Sequence, residues 1–134
     1  MMHTTNYYDT LILPSPDSTA TDILAPAKPG TIADMQYVRL MDAPYSLTSD
    51  DLLFGIHADR KGIDEEDRGP ARMEFFSKGQ ACLRSSPLVK TLGWALHHDA
   101  KGRVALIDPA GESFEILMAR DDIAKRPGLR SKRA

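Results

Sequence analysis

The chain has 134 residues, the size of one ordinary domain, and a chain of this length buries about two-thirds of its unfolded surface without disulfides or metals. Hydrophobic residues make up 42% and charged residues 27%, which excludes a disordered protein, and no apolar run approaches the ~18 residues of a membrane span. The N-terminus lacks the basic and apolar regions of a signal peptide, and the single cysteine has no partner for an internal disulfide, so we expect a soluble cytoplasmic protein.

Charge is spread unevenly along the chain. The net charge is −2, but residues 1–67 carry 12 acidic and 4 basic side chains, whereas residues 68–134 carry 7 acidic and 13 basic ones. Such an asymmetry either marks a basic binding face or reflects two halves whose charges interleave in the folded protein.

A strand and a long loop begin the chain. Residues 7–13 are rich in β-forming side chains and predict a strand whose core face is Tyr8, Thr10 and Ile12. Residues 14–30 contain four prolines and predict a loop. A loop of this length is either functional or a strap across the sheet.

Two helices follow the loop. Helical spacing of apolar residues and a Thr-x-x-Asp cap predict a helix over residues 31–41, with a strand over 36–41 as the competing interpretation. A stronger cap signal at Thr48–Asp51 predicts a second helix, which ends at Arg60 because Gly62 is a natural stop.

The middle of the chain gives weaker signals. Asp64–Asp67 is interpreted either as a cation site or, since it lacks the alternating ligands and glycine of an EF-hand loop, as a helix first turn or solvated loop. Pro70 suits a first helical position and predicts a short helix over residues 71–78. Residues 81–83 are interpreted as a short buried strand.

The clearest strands lie in the C-terminal half. Residues 94–98 and 103–107 predict two strands, joined as a hairpin by a loop of four residues. A helix is predicted over residues 112–118 and a last strand near 128–132. Together these elements predict one α+β domain, a small mostly antiparallel sheet with helices packed on it.

A basic tail, residues 125–134, ends the sequence. It is interpreted as solvated, as docked on the domain, or as a contact for nucleic acid phosphates. Because the chain shows no base-reading motif and no aromatic side chains between the basic ones, we do not expect nucleic acid binding.

The stretch from residue 75 to 88 mixes groups that bind with groups that pack. A turn at Gly79 exposes backbone N–H groups, and nearby cations and hydroxyls suit a phosphate or a carboxylate. The alternative is a helix C-cap with solvated cations followed by a Ser-Pro turn. The candidate ligand-binding residues are Lys78, Gln80, Arg84, Ser85, Ser86 and Trp94.

Cys82 is a candidate nucleophile with His97 or His57 as its base, and two nearby cations would favour its thiolate. The alternative is a buried small hydrophobic side chain. His97 and His98 point to opposite faces of a strand, so they do not share a metal ion. Since His-x-x-x-His and Cys-x-x-Cys spacings are absent, we predict neither a metal nor a cofactor.

The sequence resembles a family of short uncharacterised bacterial proteins, a domain of unknown function, over nearly its whole length. The resemblance lies in residues 2–10, 44–45, 48–51, 75–88, 93–94, 97 and 130–134. The string Phe-Phe-Ser-Lys-Gly-Gln-Ala-Cys-Leu-Arg-Ser-Ser-Pro-Leu and the terminal Arg-Ser-Lys-Arg-Ala are its most specific parts. The resemblance implies that Met2 is the start and that the domain is complete, but it implies no activity. Relatives have an unbroken charged helix before Phe75, where this chain has Gly69-Pro70.

We therefore expect a cytoplasmic binding module for a small anionic ligand or an anionic partner segment, with no membrane partner. The alternatives are a Cys/His-dependent enzyme and a structural or interaction protein that acts as a homo-oligomer.

Overall fold

A computed structural model describes residues 3–16, 18 and 20–129 as one α+β domain with a four-stranded sheet. Its helices and strands are β1 (Thr10–Leu13), α1 (Ile32–Asp42), α2 (Ser49–Lys61), α3 (Arg68–Phe75), α4 (Pro87–Lys90), β2 (Ala95–His98), β3 (Val104–Ile107), α5 (Glu112–Ala119) and β4 (Ala124–Pro127). Two short 3-10 helices, Glu65–Asp67 and Leu83–Ser85, precede α3 and α4.

The sheet has the strand order β3-β2-β1-β4. β2 pairs antiparallel with both neighbours, so that His97 lies opposite Leu11 on β1 and opposite Ala105 on β3. β4 is the exception, because it pairs parallel to β1 with Thr10 opposite Ala124. The α+β class and the mostly antiparallel sheet are thus confirmed.

Both faces of the sheet are covered by helices. On one face, Ile12 and Leu96 pack against α1 and α2 in the larger core, which is formed by Ile12, Leu40, Leu52, Ile56, Leu83, Val89, Leu96 and Val104. On the other face, Leu11 packs against Leu117 of α5. The prediction of one core face for the first strand was therefore wrong, and Tyr8 lies outside the strand with 56% of its surface exposed.

The caps of α1 and α2 explain why these helices start where the sequence predicts. The Thr48 hydroxyl accepts the Asp51 backbone N–H at 3.1 Å, and the Asp51 carboxylate accepts the Thr48 N–H at 3.3 Å, which forms a complete capping box. Gly62 ends α2 in the left-handed conformation, at φ 65°. α1 begins after Thr31, so the competing strand over 36–41 is wrong.

Two predictions in the middle of the chain need correction. α3 begins at Arg68 rather than at 71 and ends at Phe75 rather than at 78. It includes Gly69 and Pro70 because a proline is tolerated in the first turn, where the backbone N–H has no partner within the helix. Residues 81–83 do not form a strand, and a 3-10 turn begins at Leu83 instead.

The end of the described chain joins the sheet earlier than predicted. β4 occupies 124–127 rather than 128–132, so the first residues of the predicted basic tail belong to a strand. The Leu129 N–H then donates to the Arg84 carbonyl at 2.9 Å. Residues 130–134 lie outside the described residues, so their docking on the domain stays a prediction.

The loop between β1 and α1 is a strap. The Ser15 N–H donates to the Val89 carbonyl and the Leu24 N–H to the Leu92 carbonyl, each at 2.9 Å. The Trp94 indole N–H donates to the Leu24 carbonyl at 3.0 Å, which fixes the middle of the loop over the domain. None of the helices in the described part of the chain has the length and apolar character that crossing a membrane requires.

Candidate functional site

A pocket of about 500 Å³ opens between α1, α2 and the segment that precedes α4. Its apolar lining consists of Ile32, Leu53, Ile56, Phe75, Ala81 and Pro87. Its polar lining consists of Gln36, His57, Arg60, Lys61, Gln80, Cys82, Ser85 and Ser86. This volume and this mixture of side chains are typical of sites that hold small molecules.

The pocket is polar at its inner end and cationic at its outer end. Gln36 and Ser86 are each 5% exposed, and the Ser86 hydroxyl donates to Oε1 of Gln36 at 2.7 Å. Arg60 and Lys61, in the last turn of α2, line the pocket where it is exposed to solvent, which is called its outer end. A ligand that fills the pocket would therefore contact cations near solvent and a neutral amide inside.

The electrostatics of the outer end favour an anion. Among the described residues that line the pocket, none is Asp or Glu. Arg60 is held in place because its Nη1 donates to the Gly30 carbonyl at 3.0 Å. Hydrogen bonds from Arg39 and Arg68 hold the pKa of the neighbouring Asp59 below its usual range, so that carboxylate is already paired with cations.

An aromatic pair forms one wall of the pocket. The rings of His57 and Phe75 lie 4.5 Å apart at 35°, close to a stacked arrangement. Beyond this wall lies an adjoining groove of about 530 Å³, which shares His57, Lys61, Phe75 and Gln80 with the pocket. Lys78 lines only the groove, where Glu74 also lies.

The structure brings most of the predicted site residues together. Those that line the pocket are His57, Gln80, Cys82, Ser85 and Ser86, and Lys78 lines the adjoining groove. The C-terminal half of α2 and the turn before α4 place them there.

Arg84 and Trp94 lie elsewhere and have structural partners. Nε of Arg84 donates to the Pro127 carbonyl at 3.0 Å and thereby ties the 3-10 turn to β4. The Trp94 indole holds the strap through Leu24 and lies 5.9 Å from the ring of Tyr37. Neither side chain lines the pocket.

His97 faces the other side of the sheet. It shares that face with Ala95, and its Nδ1 lies 2.8 Å from the Tyr45 hydroxyl. Burial and then the Arg120 guanidinium lower the pKa of His97, whereas burial raises the pKa of Tyr45. The sheet thus separates His97 from Cys82, and the predicted pairing of these two residues is not formed.

Cys82 has a weak partner outside the pocket. Its Sγ lies 4.0 Å from the Tyr7 hydroxyl, which Nη1 of Arg84 also approaches at 3.5 Å. Across the described ranges, no histidine forms a hydrogen bond with Cys82. Cys82 and His57 nevertheless line the same pocket, so an enzyme that uses this pair stays a prediction.

His98 is buried without polar contacts. Its side chain is fully buried, and neither ring nitrogen has a hydrogen-bond partner among the described residues. Its ring centroid lies 5.4 Å from that of Tyr7. Burial lowers the pKa of His98 to about 4, so the side chain is neutral near neutral pH.

The acidic cluster before α3 is exposed. Oxygens of Asp64, Glu66 and Asp67 lie within 4.8 Å of one another. No buried ligand or closed geometry accompanies these side chains in the described part of the chain, so we assign them no ion.

Sequence reasoning missed three of the lining residues. Arg60 and Lys61 were interpreted as the end of a helix, and Gln36 was not singled out. A signal for Gln36 exists, because it stands four residues after Ile32 and four before Leu40, on the inward face of α1. A polar residue on an apolar helix face needs a partner, and here that partner is Ser86.

Comparison with known proteins gives a family without an activity. A family model described as "Family of unknown function (DUF6157)" matches residues 2–134. No curated protein and no solved structure matches the chain.

Proposed function

We propose that this chain, which belongs to the family of unknown function DUF6157, binds a small organic anion in the pocket between α1 and α2. One observation carries the proposal: the described lining residues combine apolar side chains with Arg60 and Lys61 and include no carboxylate. Cations near a partly desolvated site attract a carboxylate or a phosphate, and the apolar lining adds affinity for a hydrophobic body.

The aromatic wall indicates the shape of that body. A flat ring stacks on the exposed face of an aromatic pair such as His57 and Phe75. A free inorganic anion would leave this wall and the apolar lining uncovered. We therefore propose a ligand with an aromatic or branched aliphatic body and one anionic group, which is either a carboxylate or a phosphate.

Thermal denaturation with a panel of aryl carboxylates and aryl phosphates tests the proposal. A ligand present at about 100 times its Kd adds about 2.7 kcal/mol to the free energy of unfolding, which a melting curve detects. Calorimetry then compares the wild type with Arg60→Glu and Lys61→Glu, and we expect each reversal to weaken binding about tenfold or more.

Lys101→Glu is the matched control, because Lys101 is exposed in the β2–β3 hairpin and does not line the pocket. This variant makes the same change of net charge and should leave binding unchanged. If all three reversals weaken binding equally, the effect is one of net charge and the proposal fails. If no member of the panel raises the melting temperature, it also fails.

A further inference from the structure

Gln36 is a buried amide with one free end. Its side chain is 5% exposed, and it lines the inner end of the pocket. Oε1 accepts the Ser86 hydroxyl proton at 2.7 Å. In the described part of the chain, Nε2 has no hydrogen-bond partner.

Ser86 fixes which end of the amide is free. Its Oγ caps α4 by accepting the Leu88 N–H at 3.2 Å, and it donates its only proton to Oε1 of Gln36. The amide oxygen of Gln36 is thereby fixed against Ser86, and the two N–H donors of Nε2 form the other end. Among the described residues, the fully buried side-chain nitrogens without a partner are those of His98, so Nε2 of Gln36 is reached by solvent through the pocket. An acceptor on a ligand would take the place of water on this donor.

Two other neutral polar side chains of the pocket direct donors to the backbone. Nε2 of Gln80 donates to the Phe75 carbonyl at 2.7 Å, and the Ser85 hydroxyl donates to the Cys82 carbonyl at 2.7 Å. The amide donors of Gln36 differ from these two, because within the described ranges they have no partner in the protein and are available to a ligand.

We propose that Gln36 determines specificity by donating to an acceptor oxygen at the inner end of the ligand. The ligand would then carry a carbonyl or carboxylate oxygen at one end and an anionic group at the other, with an apolar body between them. A ligand with an amine at the inner end would meet only donors and bind poorly. This inference rests on the proposed function, because Arg60 and Lys61 define the outer end.

Matched aryl compounds test the inference by calorimetry. The first pair is phenyl phosphate and 4-acetylphenyl phosphate, which differ by an acetyl group that carries an acceptor carbonyl. The second pair, benzoate and 4-acetylbenzoate, has a carboxylate as the outer anion. We expect the acetyl compound of at least one pair to bind wild type about tenfold more tightly than its partner. In Gln36→Met, which removes the donors without adding charge, this preference should disappear.

Gln36→Glu provides a second variant, because it keeps an oxygen for the Ser86 proton and replaces the free donors by an acceptor. It should lose the preference as well, and circular dichroism shows whether each variant is folded. If Gln36→Met and Gln36→Glu both retain the preference, or if wild type shows none in either pair, the role of Gln36 is refuted while anion binding stands. If none of the four compounds binds, or if Arg60→Glu and Lys61→Glu do not weaken binding, the proposed function fails and the inference with it.

Discussion

Asp50 accepts two hydrogen bonds from Thr5 on the same carboxylate oxygen, one from the backbone N–H and one from the hydroxyl, each at 2.7 Å. Its other oxygen accepts the Thr4 hydroxyl at 2.7 Å. Both Asp50 and Thr5 are buried, so this contact ties the N-terminal segment to the first turn of α2.

Removing the Asp50 carboxylate should destabilise the fold. We expect Asp50→Ala to lower the free energy of unfolding by about 3 kcal/mol, because it leaves the Thr5 N–H buried without an acceptor and removes the acceptor of the Thr4 hydroxyl. Urea denaturation measures the change. Asp121→Ala removes an exposed carboxylate and should stay within about 0.5 kcal/mol of wild type. Equal stability of the two variants would show that the N-terminal segment does not need Asp50.

Stability should depend on pH through His98. An unfolded histidine titrates near pH 6.5, whereas in the fold the pKa of His98 is about 4, so between these values the unfolded state binds more protons. The stabilisation is complete above the unfolded pKa and is lost as the pH falls toward the folded one. Between about pH 7 and about pH 5, His98 should account for a loss of about 2 kcal/mol.

His98→Phe should remove most of that loss, since it fills the same space without titrating. Urea denaturation at both pH values measures it, and the exposed His3→Ala serves as the control because it should behave as wild type. A part of the pH dependence will persist in His98→Phe, because the pKa of His97 is lowered as well. An unchanged slope in His98→Phe would show that His98 is hydrated or paired.

Gly128 has no room for a side chain. A Cβ atom there would overlap Cγ1 of Val89 and lie 3.1 Å from the Leu13 carbonyl oxygen. We expect Gly128→Ala to lower the free energy of unfolding by about 2 kcal/mol. In the double variant Gly128→Ala/Val89→Ala, the overlap is gone. Its loss of unfolding free energy should therefore be smaller, by at least about 1 kcal/mol, than the sum of the losses of the two single variants.

Gly69→Ala is the control for this substitution. No atom lies within 4 Å of the Cβ position at Gly69, and an alanine in the first turn of α3 should be neutral or stabilising by up to about 1 kcal/mol. Strict additivity of Gly128→Ala and Val89→Ala would contradict the contact between these residues.

Arg84 and Lys61 should separate stability from binding. Because the Arg84 guanidinium donates to the Pro127 carbonyl, Arg84→Ala should lower the free energy of unfolding by about 1 kcal/mol and leave the affinity for an aryl anion unchanged. Lys61→Ala should weaken the binding of an aryl anion and leave the free energy of unfolding unchanged, since Lys61 lines the pocket and is exposed. Melting curves and calorimetry on both variants measure this. A loss of affinity in Arg84→Ala would restore Arg84 as a ligand-binding residue.

Cys82 is a natural reporter for the pocket, because it lines the pocket and is the only cysteine of the chain. We expect iodoacetamide to label it no faster than a free thiol, since no histidine in the described residues forms a hydrogen bond with it. A bound aryl anion should slow labelling, and Arg60→Glu should abolish this protection. Labelling faster than that of a free thiol would favour the enzyme, and labelling unaffected by a bound anion would place the ligand elsewhere.

Local signals in the sequence predicted the helices better than the contacts between them. The Thr48 capping box and the stop at Gly62 depend on residues a few positions apart, and α2 lies almost where they predict. The burial of the second face of β1 depends on α5, about a hundred residues later, and no period in the first strand reveals it.

In the candidate site, too, local signals were predicted and long-range contacts were not. Gln80, Cys82, Ser85 and Ser86 were predicted as candidate site residues because they lie close together in the sequence, and all four line one pocket. Arg60 and Gln36 line the same pocket only because α1 and α2 pack together. Arg84 lies outside it, because its guanidinium donates to the Pro127 carbonyl of β4. The positions of these three residues depend on long-range packing, which composition and local spacing do not reveal.

The parallel pairing of β1 with β4 joins the beginning of the described chain to its end. Thr10 pairs with Ala124, which is distant in the sequence, whereas the β2–β3 hairpin and the α1–α2 pair form between nearby segments. During synthesis on a ribosome, the hairpin and the helix pair are therefore free to form early, while one edge of β1 has no strand until residues 124–127 have been made. Topologies with such distant contacts fold slowly, and an open strand edge invites association with other chains in the meantime. Docking of β4 thus completes the sheet only after the other three strands have been synthesised.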